Sequence, residues 1–272
     1  MKKYILFNII LFIFISCQKN KLNRSTTSSQ DNTIAVIAFN DLLKVTEDVI
    51  INEELEKSSN SILNSCAAIT IHPSLPDTSF PKTITIDFGP VNCTDVFGVD
   101  RRGKLIVIMD GRYRDAGTTI SITTNEFYLN NHKVEGTKTL TNEGLNNEGH
   151  SYFISNIVNG NITYPSGDQA KYESNRIIEW VIGEDTQGPL GFLDDEYDIT
   201  GTSSGINRNG RNYTSTITSP LRFSMSCKWI KKGDIELQPA NLYTRNIDFG
   251  EGECDSEITV DINGNIYNID SP

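Results

Sequence analysis

Leu221-Arg222-Phe223-Ser224-Met225-Ser226-Cys227-Lys228-Trp229 alternates apolar and polar residues without a break. Successive side chains of an extended chain point to opposite faces, so this pattern predicts a strand with one buried face and Cys227 on it. Ile84, Ile86 and Phe88 alternate with Thr85 and Asp87 in the same way. Leu105 to Met109 is a continuous apolar run, which predicts a strand covered on both faces. Asn159-Gly160 and Asn263-Gly264 lie between β-prone residues and predict tight hairpins, because type I′ turns need positive φ. Ser166-Gly167, Asn209-Gly210 and Lys232-Gly233 mark further turns.

Helical spacing shows in one place. Ile37, Leu42, Val45, Val49 and Leu55 recur among Asp41, Glu47, Asp48, Glu53 and Glu54, predicting a helix over about 34–57 within a helical segment 33–65. Residues 18–32 are rich in Ser, Thr, Asn and Lys and read as a flexible tether. No linker interrupts 66–272, which reads as one β-rich body. The expected fold is mostly β: an antiparallel sheet, sandwich or open barrel with one N-terminal helix.

The cysteines reveal an internal duplication. Cys66 and Cys93 are 27 residues apart, and so are Cys227 and Cys254. Sliding the chain by 161 positions superimposes segment 66–108 on 227–269 with 12 identities in 43 positions. Ile86-Asp87-Phe88-Gly89 falls on Ile247-Asp248-Phe249-Gly250, and Gly103 on Gly264. Four cysteines allow three connectivities. The repeat favours Cys66–Cys93 with Cys227–Cys254, each copy closing its own loop. A zinc site is the weaker alternative, since the chain has no CxxC pair and its histidines are His72, His132 and His150. A fainter similarity links Val134-Glu135-Gly136-Thr137, Gly144-Leu145-Asn146, Gly149 and Tyr152 with Ile199-Thr200-Gly201-Thr202, Gly205-Ile206-Asn207, Gly210 and Tyr213. Shared hairpin chemistry would account for that pair as well as duplication would.

Met1-Lys2-Lys3 precedes an apolar run from Tyr4 to Ser16, broken by Asn8. Cations before a run this short have the layout of a secretory signal rather than of a spanning helix, which needs about 20 residues. The run ends Phe14-Ile15-Ser16-Cys17-Gln18. This resembles the lipobox of bacterial lipoproteins, although Phe14 replaces the usual Leu. The resemblance implies acylation of Cys17, cleavage before it, and a bilayer anchor. Gln18 in place of Asp implies the outer membrane by analogy with Gram-negative sorting. Gln18 to Arg24 carries no acidic export cluster, which implies the periplasmic face. Together with the duplicated I-D-F-G…C segments and Gly103-Lys104-Leu105-Ile106-Val107, the chain resembles small Bacteroidetes outer-membrane lipoproteins. That resemblance implies a location, not an activity.

With 35 acids, 24 bases and a net charge of -11, the chain lacks the positive field that non-specific nucleic-acid binding needs. No cofactor motif is present, and no GxSxG elbow. Asp194, Asp195, Glu196 and Asp198, with Glu184-Asp185, could ligate a hard cation, but their spacing fits no EF-hand and a solvated acidic loop is the simpler reading. Arg101, Arg102, Lys104, Arg112 and Arg114 lie on what should be one hairpin, where they would suit an anionic glycan or phosphate, but Asp100, Asp110 and Asp115 lie among them and a solvated, salt-bridged surface is the simpler reading. Tyr113, Tyr128, Tyr152, Tyr164, Trp180 and Trp229 would suit sugar stacking, though aromatics at strand positions more often serve packing. The functional expectation is an anchored envelope lipoprotein with a non-catalytic binding or structural role toward a protein or glycan. A carrier of lipid or other apolar ligand and an envelope hydrolase are the alternatives.

Overall fold

The computed structural model describes residues 23–54, 63–74, 76–186 and 191–270. The signal segment 1–17 with Cys17, and most of the 55–65 stretch, lie outside the described residues. Fourteen strands form one sheet. In order they are β1 (Ala68–His72), β2 (Lys82–Asp87), β3 (Cys93–Thr94), β4 (Asp100–Met109), β5 (Thr119–Leu129), β6 (His132–Leu145), β7 (Ser151–Thr163), β8 (Gln169–Ile182), β9 (Glu196–Ile206), β10 (Asn212–Ser224), β11 (Ile230–Pro239), β12 (Arg245–Glu251), β13 (Ile258–Ile262) and β14 (Asn265–Ile269). Apart from β3, which pairs only with β4, each strand lies antiparallel beside its chain neighbours, and the sheet ends at β1 and β14 without closing. The mostly-β expectation with a single N-terminal helix therefore holds, in its open form.

That helix, α1 (Thr27–Glu54), has every residue from Ala35 to Ile50 buried. Strands across the sheet reach it: β4 through Arg101, β6 through Lys138, β8 through Tyr172 and β9 through Tyr197, while Arg245 of β12 holds Ser25 just ahead of it. The sheet is thus wrapped around the helix, with alternate residues of each long strand pointing inward. In β8 the alternation runs without a break from Gln169 to Trp180. The helix begins within the segment read as tether. Ser28, Ser29, Asp31 and Asn32 are buried, and Leu63 to Cys66 form turns rather than helix. Polar residues are buried at this end because their partners are polar: Asn207 donates to Ser28, Tyr164 to Asp31, and Ser203 to Asn32.

The curl is written into the strands. Register breaks fall beside Gly103 in β4, Gly136 in β6, Gly160 in β7 and Gly233 in β11, and such bulges bend and twist a strand. Asn159-Gly160 and Lys232-Gly233, expected as turns, are therefore bulges inside long strands, while the other three dipeptides do make turns. Gly160, Tyr172, Gly205 and Tyr213 are cross-strand neighbours in one row over β7–β10. A Cβ on Gly205 would lie 2.5 Å from the Tyr213 hydroxyl, and one on Gly160 would lie 2.3 Å from the Tyr172 carbonyl. Missing side chains there make room for tyrosine rings and for close strand approach.

Two more expectations change. The Leu105–Met109 run is covered on one face only, with Ile108 48% exposed. The period-two run at 221–229 is strand only as far as Ser224, after which 225–229 turns, although Cys227 is buried as expected.

Both duplicated segments lie toward the sheet's edges. Cys66 pairs with Cys93 and Cys227 with Cys254, with Cα separations of 6.0 and 5.8 Å. In each copy the I-D-F-G aspartate accepts the amide of its glycine, Asp87 from Gly89 at 2.9 Å and Asp248 from Gly250 at 2.7 Å. Both glycines have positive φ, so the motif is a repeated backbone bend. The fainter repeat also has matching geometry. Asn146 accepts the amides of Glu148 and His150, and Asn207 accepts those of Asn209 and Arg211. The β6–β7 and β9–β10 hairpins are the same turn twice.

Candidate functional site

Three places in the fold gather polar chemistry: the seam between helix and sheet, a groove on the outer face, and the tip of the β6–β7 hairpin.

The seam is the most charged. Arg101, 2% exposed, donates to Asp41 through Nε at 2.7 Å and to Asp95 through Nη1 at 2.7 Å. Burial works against its charge, but the two carboxylates outweigh burial and raise its pKa. Lys44 donates to the Cys227 carbonyl and Lys138 to that of Phe39. Burial lowers these amines to about 8 and about 7. Glu47 bonds the Tyr197 hydroxyl, and burial, aided by Asp195, pushes its carboxyl up to about 8. Burial also lifts Asp31 above the usual carboxylate range, against hydrogen bonds from Tyr164 and Arg208. These groups face one another across packed side chains. The recess beside Lys138, Tyr172 and Arg176 is about 20 Å³, room for about one water. The seam therefore fastens the helix inside the sheet.

The groove, of about 680 Å³, crosses β7–β10 and is open to solvent. Gln169, Lys171, Glu173, Ser204, Asn212 and Thr214 line it. These amides, hydroxyls and opposed charges offer hydrogen bonds around the apolar surface of Tyr172, Ile206 and Tyr213.

The sequence-predicted residues are dispersed. Asp195 is buried and accepts the Trp180 indole N–H at 3.1 Å. Asp194 accepts from the Thr186 hydroxyl. Glu196 and Asp198 pair with Arg222, and Glu196 also with Lys231. Glu196 and Asp198 thus share Arg222 while Asp194 and Asp195 take separate partners, and among the described residues the four do not gather as one group of ligand atoms. The basic group is divided too: Arg101, Arg102 and Lys104 lie on β4, while Arg112 and Arg114 follow its far end. Arg101 points into the seam, Arg102 covers the Tyr128 ring at 3.8 Å, and Arg114 covers Trp180 at 4.6 Å. Tyr113, Tyr164 and Trp180 are buried in the core, and Trp229 contacts Lys228.

One constellation was missed. At the β6–β7 tip, Glu148, His150 and Glu179 each offer a ligand atom, and these atoms lie within 4.8 Å of one another. His150 Nδ1 is 2.7 Å from Glu179 Oε1. Asn146 Nδ2 donates to the same oxygen at 2.8 Å. Glu179 is distant in sequence, so no local motif announces the cluster.

Compared with known proteins, the chain matches no protein-family model, no curated protein and no solved structure.

Proposed function

We propose that the chain is an acyl-anchored lipoprotein of the cell envelope, held at the outer membrane facing the periplasm, with a non-catalytic binding or structural role. The coincidence that carries the reading is a lipobox-like Cys17 at the end of an apolar run, with the other four cysteines lying as two bonded pairs. Disulfides persist in oxidising compartments, which agrees with export.

The anchor would hold the body close to the bilayer. The first described residue, Asn23, is buried, with its side-chain oxygen accepting the Tyr243 amide and its carbonyl accepting from Arg245. Six Cα steps from Cys17 to Asn23 reach at most about 20 Å. The end that carries Arg24, Arg211 and the exposed Tyr243 would then face the headgroups, and the β6–β7 tip would face away.

The interior argues against the alternatives. Among the described residues the concave face of the sheet is filled by α1, which leaves no apolar hollow for a carried lipid. Glu47, Lys44 and Lys138, whose pKa values burial displaces strongly, are sealed in the seam and do not line the groove, where the displaced group is the buried Tyr213 phenol. The groove's amides and hydroxyls suit a glycan or a peptide backbone. Fractionation of Cys17→Ala tests the anchor. The variant should leave the membrane pellet and lose the acyl mass. A variant that stays in the pellet, with no acyl group on the wild-type protein, would overturn the reading.

A further inference from the structure

We infer that the β6–β7 tip is a binding site for a first-row divalent cation, zinc above all, with Glu148, His150 and Glu179 as its ligands. Imidazole nitrogen with two carboxylate oxygens is a ligand set that zinc accepts, whereas calcium and magnesium prefer oxygen alone.

Positioning is the first argument. One side chain, Asn146, arranges all three ligands. Its Oδ1 accepts the amides of Glu148 at 2.9 Å and His150 at 3.0 Å, and its Nδ2 donates to Glu179 at 2.8 Å. Groups that orient metal ligands in this way commonly affect affinity although they never touch the ion. His150 and Glu179 are half-buried and Glu148 is exposed, so an ion could enter without the fold opening.

The second argument comes from the chain's own control. The β9–β10 hairpin repeats the same turn, with Asn207 in place of Asn146 and the same pair of amide bonds. There Asn209 stands for Glu148 and Arg211 for His150. Glu179 lies opposite Tyr152 across β7–β8, and its counterpart opposite Tyr213 is Pro239. All three ligand positions change to residues that bind no zinc, while the turn is unaltered. The turn therefore does not need Glu148, His150 or Glu179, and their convergence at one copy only is not a by-product of hairpin geometry. A tetrahedral ion with three protein ligands keeps one position for water or for a partner's side chain. On the reading above, that position faces away from the bilayer. Metal binding itself does not depend on the anchor.

The test is calorimetric titration of the full-length, detergent-extracted protein with zinc chloride after dialysis against a chelator. One zinc ion should bind per chain. His150→Ala and Glu179→Gln should each weaken binding at least tenfold with melting temperature unchanged. Asn146→Ala should weaken it about tenfold. Arg211→Ala, at the sister hairpin, should leave it unchanged. Absence of binding, or zinc binding equally tight in His150→Ala, would overturn the site. Loss of membrane attachment in Cys17→Ala with zinc binding intact would leave the site standing on its own.

Discussion

Glu47 offers a test of the seam with a definite sign. Its carboxyl is buried beneath the sheet, bonded by Tyr197, and raised from 4.5 to about 8 chiefly by burial. In the unfolded chain it ionises near 4.5, whereas in the fold it keeps its proton until about 8. Between those values the unfolded state binds fewer protons, so stability falls as pH rises. At 1.36 kcal/mol per pKa unit, the whole window is worth about 5 kcal/mol, and the interval from pH 5 to pH 8.5 about 4 kcal/mol. Glu47→Gln keeps the shape and removes the titration. Lys44 and Lys138 carry the opposite dependence: their folded values are lowered, so they favour the fold increasingly as pH rises toward 10.5. Both are present in wild type and variant, so they cancel in the difference apart from the smaller pull of the Glu47 charge on Lys138. Urea denaturation at pH 5 and pH 8.5 should show the variant gaining about 4 kcal/mol on the wild type between the two conditions. A difference that is the same at both pH values would refute the placement of an uncharged Glu47 in the core.

Other perturbations probe the remaining joints. Arg101→Met strands Asp41 and Asp95 in the interior and should cost about 3–5 kcal/mol in urea denaturation. Adding Asp41→Asn and Asp95→Asn should recover most of that, because the cost lies in unpaired carboxylates. Gly205→Ala drives a methyl against the Tyr213 ring and the Lys171 carbonyl, an overpacking worth about 1–3 kcal/mol, read as a lowered melting temperature. Replacing Cys227 and Cys254 together releases a 27-residue separation and should cost about 3–4 kcal/mol. The same pair of substitutions in reducing buffer should have no further effect, which separates the bond from the side chains.

Much of the architecture is legible in the residues, and the exceptions share a cause. The equal cysteine spacing yields both disulfide pairs, because a tandem copy keeps its own loop closure. Period-two alternation identifies β10 as far as Ser224, because its outer face meets water. The start of α1 escapes because amphipathic logic assumes one wet face. A helix enclosed by a sheet shows no such face, and its buried side carries Asp31, Asn32, Asp41 and Glu47 wherever a strand offers a partner. Asn159-Gly160 escapes because Asn at positive φ followed by Gly serves a bulge as well as a hairpin. Ile106 and Ile108 mislead because apolar composition does not say which face a neighbour covers. The Glu148–His150–Glu179 cluster needed the pairing of β7 with β8, which no local pattern encodes. The repeated hairpin, where Asn209 and Arg211 replace Glu148 and His150, was the available hint.

The most direct measurement is an intact mass of the protein taken from its native envelope without reductant. The account predicts a polypeptide that starts at Cys17, carries fatty acyl groups, takes up no maleimide, and gains four hydrogens on reduction, two for each bonded pair. A chain that retains Met1 and carries free thiols labelled by maleimide would contradict it.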